Sequence, residues 1–286
     1  MKQSGDHYTP SANKRWEISR DEISRERLEK LKEIHRYFQE KVPDVTIGIT
    51  LFGSLSKGKE LNPQNAANAD VDVCAFIDYG EFLENFTKTL NDHPESDFVK
   101  YIKEQAETFK ELFPTLLSAP NDKINADFLK AKLKEFVQDV FIALLGESQV
   151  EDVTGKKADY LEVYPISLQG DDSIMSVVNK LDSGRPKEGD DQLNYWSLNI
   201  SRFFHLDMGG NMKKYRERFY RELAIKLANG RDEAEYAKSL WRDVVLAMKM
   251  AERLSVNLSP ELQRKFPSEN LEEFLKKQGI QIPQST

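Results

Sequence analysis

The sequence predicts an α/β (α+β) chain: strands separated by helices in the N-terminal part, then an all-α C-terminal lobe. Three observations predict it. The apolar runs at 45–52 and 69–78 have the length and β-branched content of strands, and turn-forming residues bound both. A third such run, 160–166, follows a stretch containing Gly155. From about Ser173 onward, apolar residues recur at helical spacing. With 286 residues, the chain is long enough for one large domain or two modest ones.

Taken in order, residues 19–39 place Ile23, Leu28, Leu31, Ile34, Tyr37 and Phe38 at helical spacing among charges. Ser19 with Glu22 reads as a capping box that starts this helix. Val42-Pro43-Asp44 stops it and leads into the strand 45–52. A polar stretch, 61–68, separates that strand from the one carrying Asp70 and Asp72. Helical patterns follow at about 81–90, 97–113 and 124–145, punctuated by Pro114 and Pro120. The segment 150–159 reads as a strand and turn, and 160–166 as the return strand. There Glu162 shares a face with Tyr160 and Tyr164, while Leu161 and Val163 pack behind. The helical remainder breaks at 182–191, 207–211 and 256–260. The predicted division is 1–172, with a helical insert at 81–147, and 173–286.

The informative chemistry lies at Asp70 and Asp72. Side chains alternate along a strand, so these two carboxylates emerge side by side, while Val71 and Val73 face a core. Two like charges roughly 7 Å apart along a strand repel unless a cation sits between them. A divalent ion of the Mg²⁺ type, which takes a few carboxylates plus substrate phosphates, answers that need. Upstream, Gly53-Ser54 suits a phosphate: glycine admits close backbone approach, and the hydroxyl and amides donate hydrogen bonds.

An apolar strand ending in Gly53-Ser54, then Gly58, then Asp70-Val71-Asp72 resembles the nucleotidyltransferases of the polymerase-β superfamily. The connection from Gly58 to Asp70 is longer than is usual there. The resemblance implies a nucleotidyltransferase lobe with a small mixed sheet, Mg²⁺ or Mn²⁺, a nucleoside triphosphate substrate, and a third carboxylate on a later strand. Leu161-Glu162-Val163-Tyr164-Pro165 fits that third strand as it looks in the oligoadenylate-synthase, bacterial cyclic-oligonucleotide-synthase and archaeal CCA-adding branches. Those branches usually carry Asp where this chain has Glu162, and Asp159 is the alternative. The resemblance makes Asp70, Asp72 and Glu162 the catalytic and metal-binding set, with Gly53 and Ser54 on the triphosphate. It also gives Lys249, on a C-terminal helix, a reach to that triphosphate.

The expected reaction moves a nucleoside monophosphate from a triphosphate to a hydroxyl of a nucleotide or short oligonucleotide, releasing pyrophosphate, with a nucleotide signal among the expected products. The other classes are a same-fold transferase acting on a tRNA end, an antibiotic or a protein hydroxyl, and a catalytically silent nucleotide-binding module. Composition narrows the partners. The net charge of −7 disfavours extended DNA or RNA binding. The densest basic run, 213–221, reads as a solvated amphipathic face or as the lining of a nucleotide groove. No apolar run approaches a membrane span, and the start lacks a signal-peptide segment. A single cysteine, Cys74, suits a reducing cytoplasm and reads as a packed small residue. His7, His35, His93 and His205 lack zinc-ligand spacing.

Overall fold

The computed structural model describes residues 35–36, 39–40, 44–52, 72–100, 134–138, 160–170, 172–181, 201–205, 207–253 and 267–284. Gly53, Ser54, Asp70 and Asp159 lie outside these, as do most of the expected N-terminal helix and insert, the turn at 150–159, and the breaks at 182–191 and 256–260.

Four strands form one mixed sheet: β1 (Ile47–Phe52), β2 (Asp72–Ile77), β3 (Tyr160–Pro165) and β4 (Asp207–Gly210), in the order β3-β2-β1-β4. β1 and β2 are antiparallel, and β2 and β3 are parallel. The short β4 extends this three-strand unit by pairing antiparallel with β1, with an irregularity between Gly48 and Thr50. Every residue of β1 is buried, and so is all of β2 except the half-buried Asp72. A sheet covered on both faces explains why these segments read as near-continuous apolar runs.

The strands are followed by helices whose starts the sequence specifies. α1 (Tyr79–Asp92) begins at Asp78, whose Oδ1 accepts from the amides of Gly80 and Glu81. It buries Tyr79, Phe82 and Phe86, one helical stripe. Phe82 packs edge-on against Phe98 and Phe136, which ties in the helical segments at 97–100 and 134–138. α2 (Ile174–Lys180) is capped by Ser173. It is held by Glu222 of α3 (Met212–Ala228), whose Oε2 accepts from the amides of Ile174 and Met175 at 2.8 and 3.2 Å. α3 turns into α4 (Arg231–Arg253) through Gly230, whose φ of 104° suits a residue without a Cβ. α5 (Leu271–Lys277) closes on both, with Phe274 stacked on Trp241 at 4.2 Å and edge-on to Tyr220 at 4.9 Å. Trp241, Val244, Val245 and Met248 of α4 are fully buried. No described helix is long and apolar enough to cross a membrane.

Two readings of the sequence are corrected. The C-terminal part is not all-α: residues 207–210, read as a glycine-rich break, form β4. The helices after it share one apolar core with Phe52, Cys74 and Phe76 of the sheet. The basic run 213–221 is not simply a solvated face either. Within it Tyr215, Arg216, Phe219 and Tyr220 are buried, because α3 lies directly on the sheet. The closest approach is at Gly48, where an added Cβ would stand 2.5 Å from Met212 Sδ.

Candidate functional site

The register fixes which side chains share a face. Thr50 is opposite Cys74, which is itself opposite Glu162; Phe52 is opposite Asp72, which is opposite Tyr160. Phe52, Asp72, Cys74 and Glu162 therefore belong to one face, together with Gly48, Phe76 and Tyr164 further along. Asp72 and Glu162 are diagonal neighbours on adjacent strands, a relationship that puts their backbones roughly 7–8 Å apart. Phe76 stacks on Tyr164 at 5.4 Å and meets Phe203 and Tyr215 at 5.2 and 5.8 Å, so that end is packed shut. The polar residues gather at the opposite end, where β1 runs out and β2 and β3 begin.

Arg202 completes this polar end. It opens a 3₁₀ turn, Arg202–Phe204, whose Phe203 and Phe204 are buried and so fix the turn against the sheet. Its Nη1 donates to Glu162 Oε1 at 2.9 Å, with the two side chains only 13% and 18% exposed. Its guanidinium carbon lies 3.9 Å from the centroid of the Phe52 ring, a cation–π contact. Glu162 Oε2 accepts from Tyr164 Oη at 3.0 Å and from Cys74 Sγ at 3.8 Å. Burial, reinforced by the Glu162 charge, pushes the Cys74 thiol well above its ordinary pKa. Burial likewise raises Tyr164, with Glu162 adding to the effect. Both therefore stay protonated donors toward Glu162, and the fully buried thiol is a packed group.

Next to this cluster, His205 is fully buried. Burial, helped by the Arg202 charge, lowers its pKa to about 3. A neutral ring suits its bonds: Nδ1 donates to the Leu51 carbonyl at 3.3 Å, and Nε2 accepts from Ser201 Oγ at 2.8 Å. Thr50, on the same sheet face, is fully buried, and its Oγ1 has no hydrogen-bond partner among the described residues. Just past the other end of β2, buried Asp78 also takes the Leu168 amide on Oδ2. Burial raises its pKa while those amide bonds pull it down.

The sequence-expected residues fall out as follows. Asp72 and Glu162 come together on one face of the sheet. Gly53 directly follows Phe52, the partner of Asp72 across β1 and β2, and Asp70 lies two residues before Asp72. Lys249 lies on α4, where its Nζ engages Glu269; α4 packs on α3 and α5. Arg202 was missed. A single arginine in Ile200-Ser201-Arg202-Phe203-Phe204 has no local signature, and only the strand register reveals it.

A divalent ion shared by Asp72 and Glu162 does not fit this donor set. Both Glu162 oxygens already accept hydrogen bonds, and one of those donors is the Arg202 guanidinium, itself a cation. Among the described residues, no group of three or more His, Cys, Asp or Glu side chains is placed to hold a metal. No protein-family model, curated protein or solved structure matches the chain.

Proposed function

We propose that the protein is a nucleotidyltransferase, moving a nucleoside monophosphate from a nucleoside triphosphate to a hydroxyl of a nucleotide or short oligonucleotide. One observation supports this reading above the others. The pairing of Phe52 with Asp72 joins the exit of β1, which the sequence continues into Gly53-Ser54, to the entry of the strand that opens on Asp72. The residue before the Gly-Ser pair and the second of the two aspartates are thereby strand partners, although a long segment separates them in sequence.

On this reading the Gly53 and Ser54 amides and the Ser54 hydroxyl hold the triphosphate. The incoming hydroxyl attacks the α-phosphorus, the bond to the β-phosphate breaks, and pyrophosphate leaves. The acceptor proton passes to an aspartate, with Asp72 the one whose position is described. Most of the acceleration then comes from positioning and charge neutralisation. The proposal retains Mg²⁺ or Mn²⁺ as the ion of the Asp70/Asp72 pair, and the Arg202 contact takes Glu162 out of the set.

That same contact favours a second reading, a nucleotide-binding module without turnover, because one of three expected acids is already neutralised. The test is incubation of the purified full chain with each α-labelled nucleoside triphosphate and Mg²⁺ or Mn²⁺, alone and with short RNA, resolving the products. Labelled oligonucleotide or extended RNA, lost in Asp72→Asn, supports the transferase. Nucleotide binding with no product in any condition supports the module. Neither binding nor product removes both readings.

A further inference from the structure

We propose that Arg202 is the resident cation of Glu162. It is a positioning residue whose guanidinium fills the place beside the β3 carboxylate, so that divalent-ion binding at this site depends on Asp72 of β2 and not on Glu162. This deepens the nucleotidyl-transfer reading and rests on it for the role of the aspartates. The Arg202–Glu162 part stands on its own geometry.

Four observations carry it. The ion pair is short, at 2.9 Å, and withdrawn from water, so solvent screens it weakly. The guanidinium plane is fixed by the Phe52 ring at 3.9 Å, and Phe52 is in register with Asp72, so Arg202 borders the carboxylate end of the face. The backbone of Arg202 is fixed by buried Phe203 and Phe204 on its C-terminal side, and His205 beyond them is bonded to Leu51. The second oxygen of Glu162 is committed to Tyr164 and Cys74, two groups whose burial keeps them protonated.

Physical chemistry then sets the consequence. Arginine does not lose its charge in proteins, so the cation beside Glu162 is a permanent one. A divalent ion seeking Glu162 must evict the guanidinium or bind beside it. Eviction costs a buried cation its carboxylate partner, and binding alongside places like charges in contact within a poorly solvated site. Neither route is favoured while the arginine is in place. Removing its charge frees a half-buried carboxylate diagonal to Asp72, which is the donor arrangement a hard cation takes.

The experiment is Mn²⁺ binding by the full chain, followed by the loss of the free-ion paramagnetic resonance signal. Wild type is compared with Glu162→Gln, Arg202→Gln, Arg202→Lys, the Glu162→Gln/Arg202→Gln double variant and Asp72→Asn. Glu162→Gln keeps an acceptor for Arg202 and is expected to fold and to leave Mn²⁺ binding at the wild-type level. Arg202→Gln is expected to bind Mn²⁺ about tenfold or more tighter, or to take an extra ion, and the gain disappears in the double variant. Arg202→Lys, which keeps the charge, gains nothing. Weakening of about tenfold in Glu162→Gln would overturn the proposal, as would an Arg202→Gln protein with no gain. Should Arg202→Gln fail to fold, the Glu162→Gln arm decides alone. Mn²⁺ binding unaltered by Asp72→Asn counts against the transferase reading instead, so the two failures are distinguishable.

Discussion

Arg216 Nη2 lies 2.6 Å from Asp207 Oδ1, and the arginine side chain is almost wholly buried. The same guanidinium donates to the carbonyls of Phe203 and His205, each at 3.1 Å. One side chain of α3 thus holds both β4 and the turn that presents Arg202. Arg216→Met removes three kinds of bond at once and leaves the acceptors buried. It is expected to cost about 3–5 kcal/mol, the range for breaking a buried pair. Urea unfolding measures this directly; a loss below ~1 kcal/mol would mean the contact behaves like a surface ion pair.

His205 makes stability depend on pH. Its folded pKa of about 3 lies below the unfolded value of 6.5, so between these values the unfolded chain binds the extra proton. Its contribution is complete above pH 6.5 and is lost as pH falls toward 3, at up to ~1.4 kcal/mol per pH unit. His205→Gln is expected to be less stable at pH 7 but to have a shallower pH dependence across that window. Parallel wild-type and variant curves would contradict it.

Gly48 is where α3 approaches β1 most closely. In Gly48→Ala the new methyl meets Met212 Sδ at 2.5 Å and the Met212 amide nitrogen at 3.2 Å. The sulfur can swing away and the backbone cannot, so a loss of about 1–3 kcal/mol is expected. Combining it with Met212→Ala should cost less than the sum of the two single changes. Strict additivity in thermal unfolding would show that the methyl has room.

Thr50 offers the opposite sign. Its buried hydroxyl oxygen has no partner among the described residues, and valine has nearly the same shape. Thr50→Val should stabilise by about 1 kcal/mol, since desolvating an unpaired hydroxyl costs roughly 1–3 kcal/mol. A lower melting temperature would indicate that the hydroxyl is satisfied in solution.

β1, β2 and β3 were legible because apolar, β-branched residues bounded by turn formers have few other uses. α1 was legible because Asp78 caps the stripe of Tyr79, Phe82 and Phe86. β4 was not. It is an edge strand of four residues, two of them glycine, and its pairing with β1 depends on a distant contact that no local pattern encodes. Arg216 looked like one more charge on a basic helix, since its burial is decided by Asp207 and two carbonyls. Of the site, Asp72 and Glu162 could be picked out by strand alternation. Arg202 could not, because its meaning arises only when 3₁₀ turn and sheet meet.

The order β3-β2-β1-β4 also constrains synthesis. β1 leaves the ribosome well before its second neighbour, Asp207–Gly210, and its cover, α3. During translation of everything between, one side of β1 stays open to other chains, a standing invitation to cross-pairing. A ribosome paused before residue 210 would hold a nascent chain dependent on chaperones. Only the arrival of β4 and α3 releases it from that need.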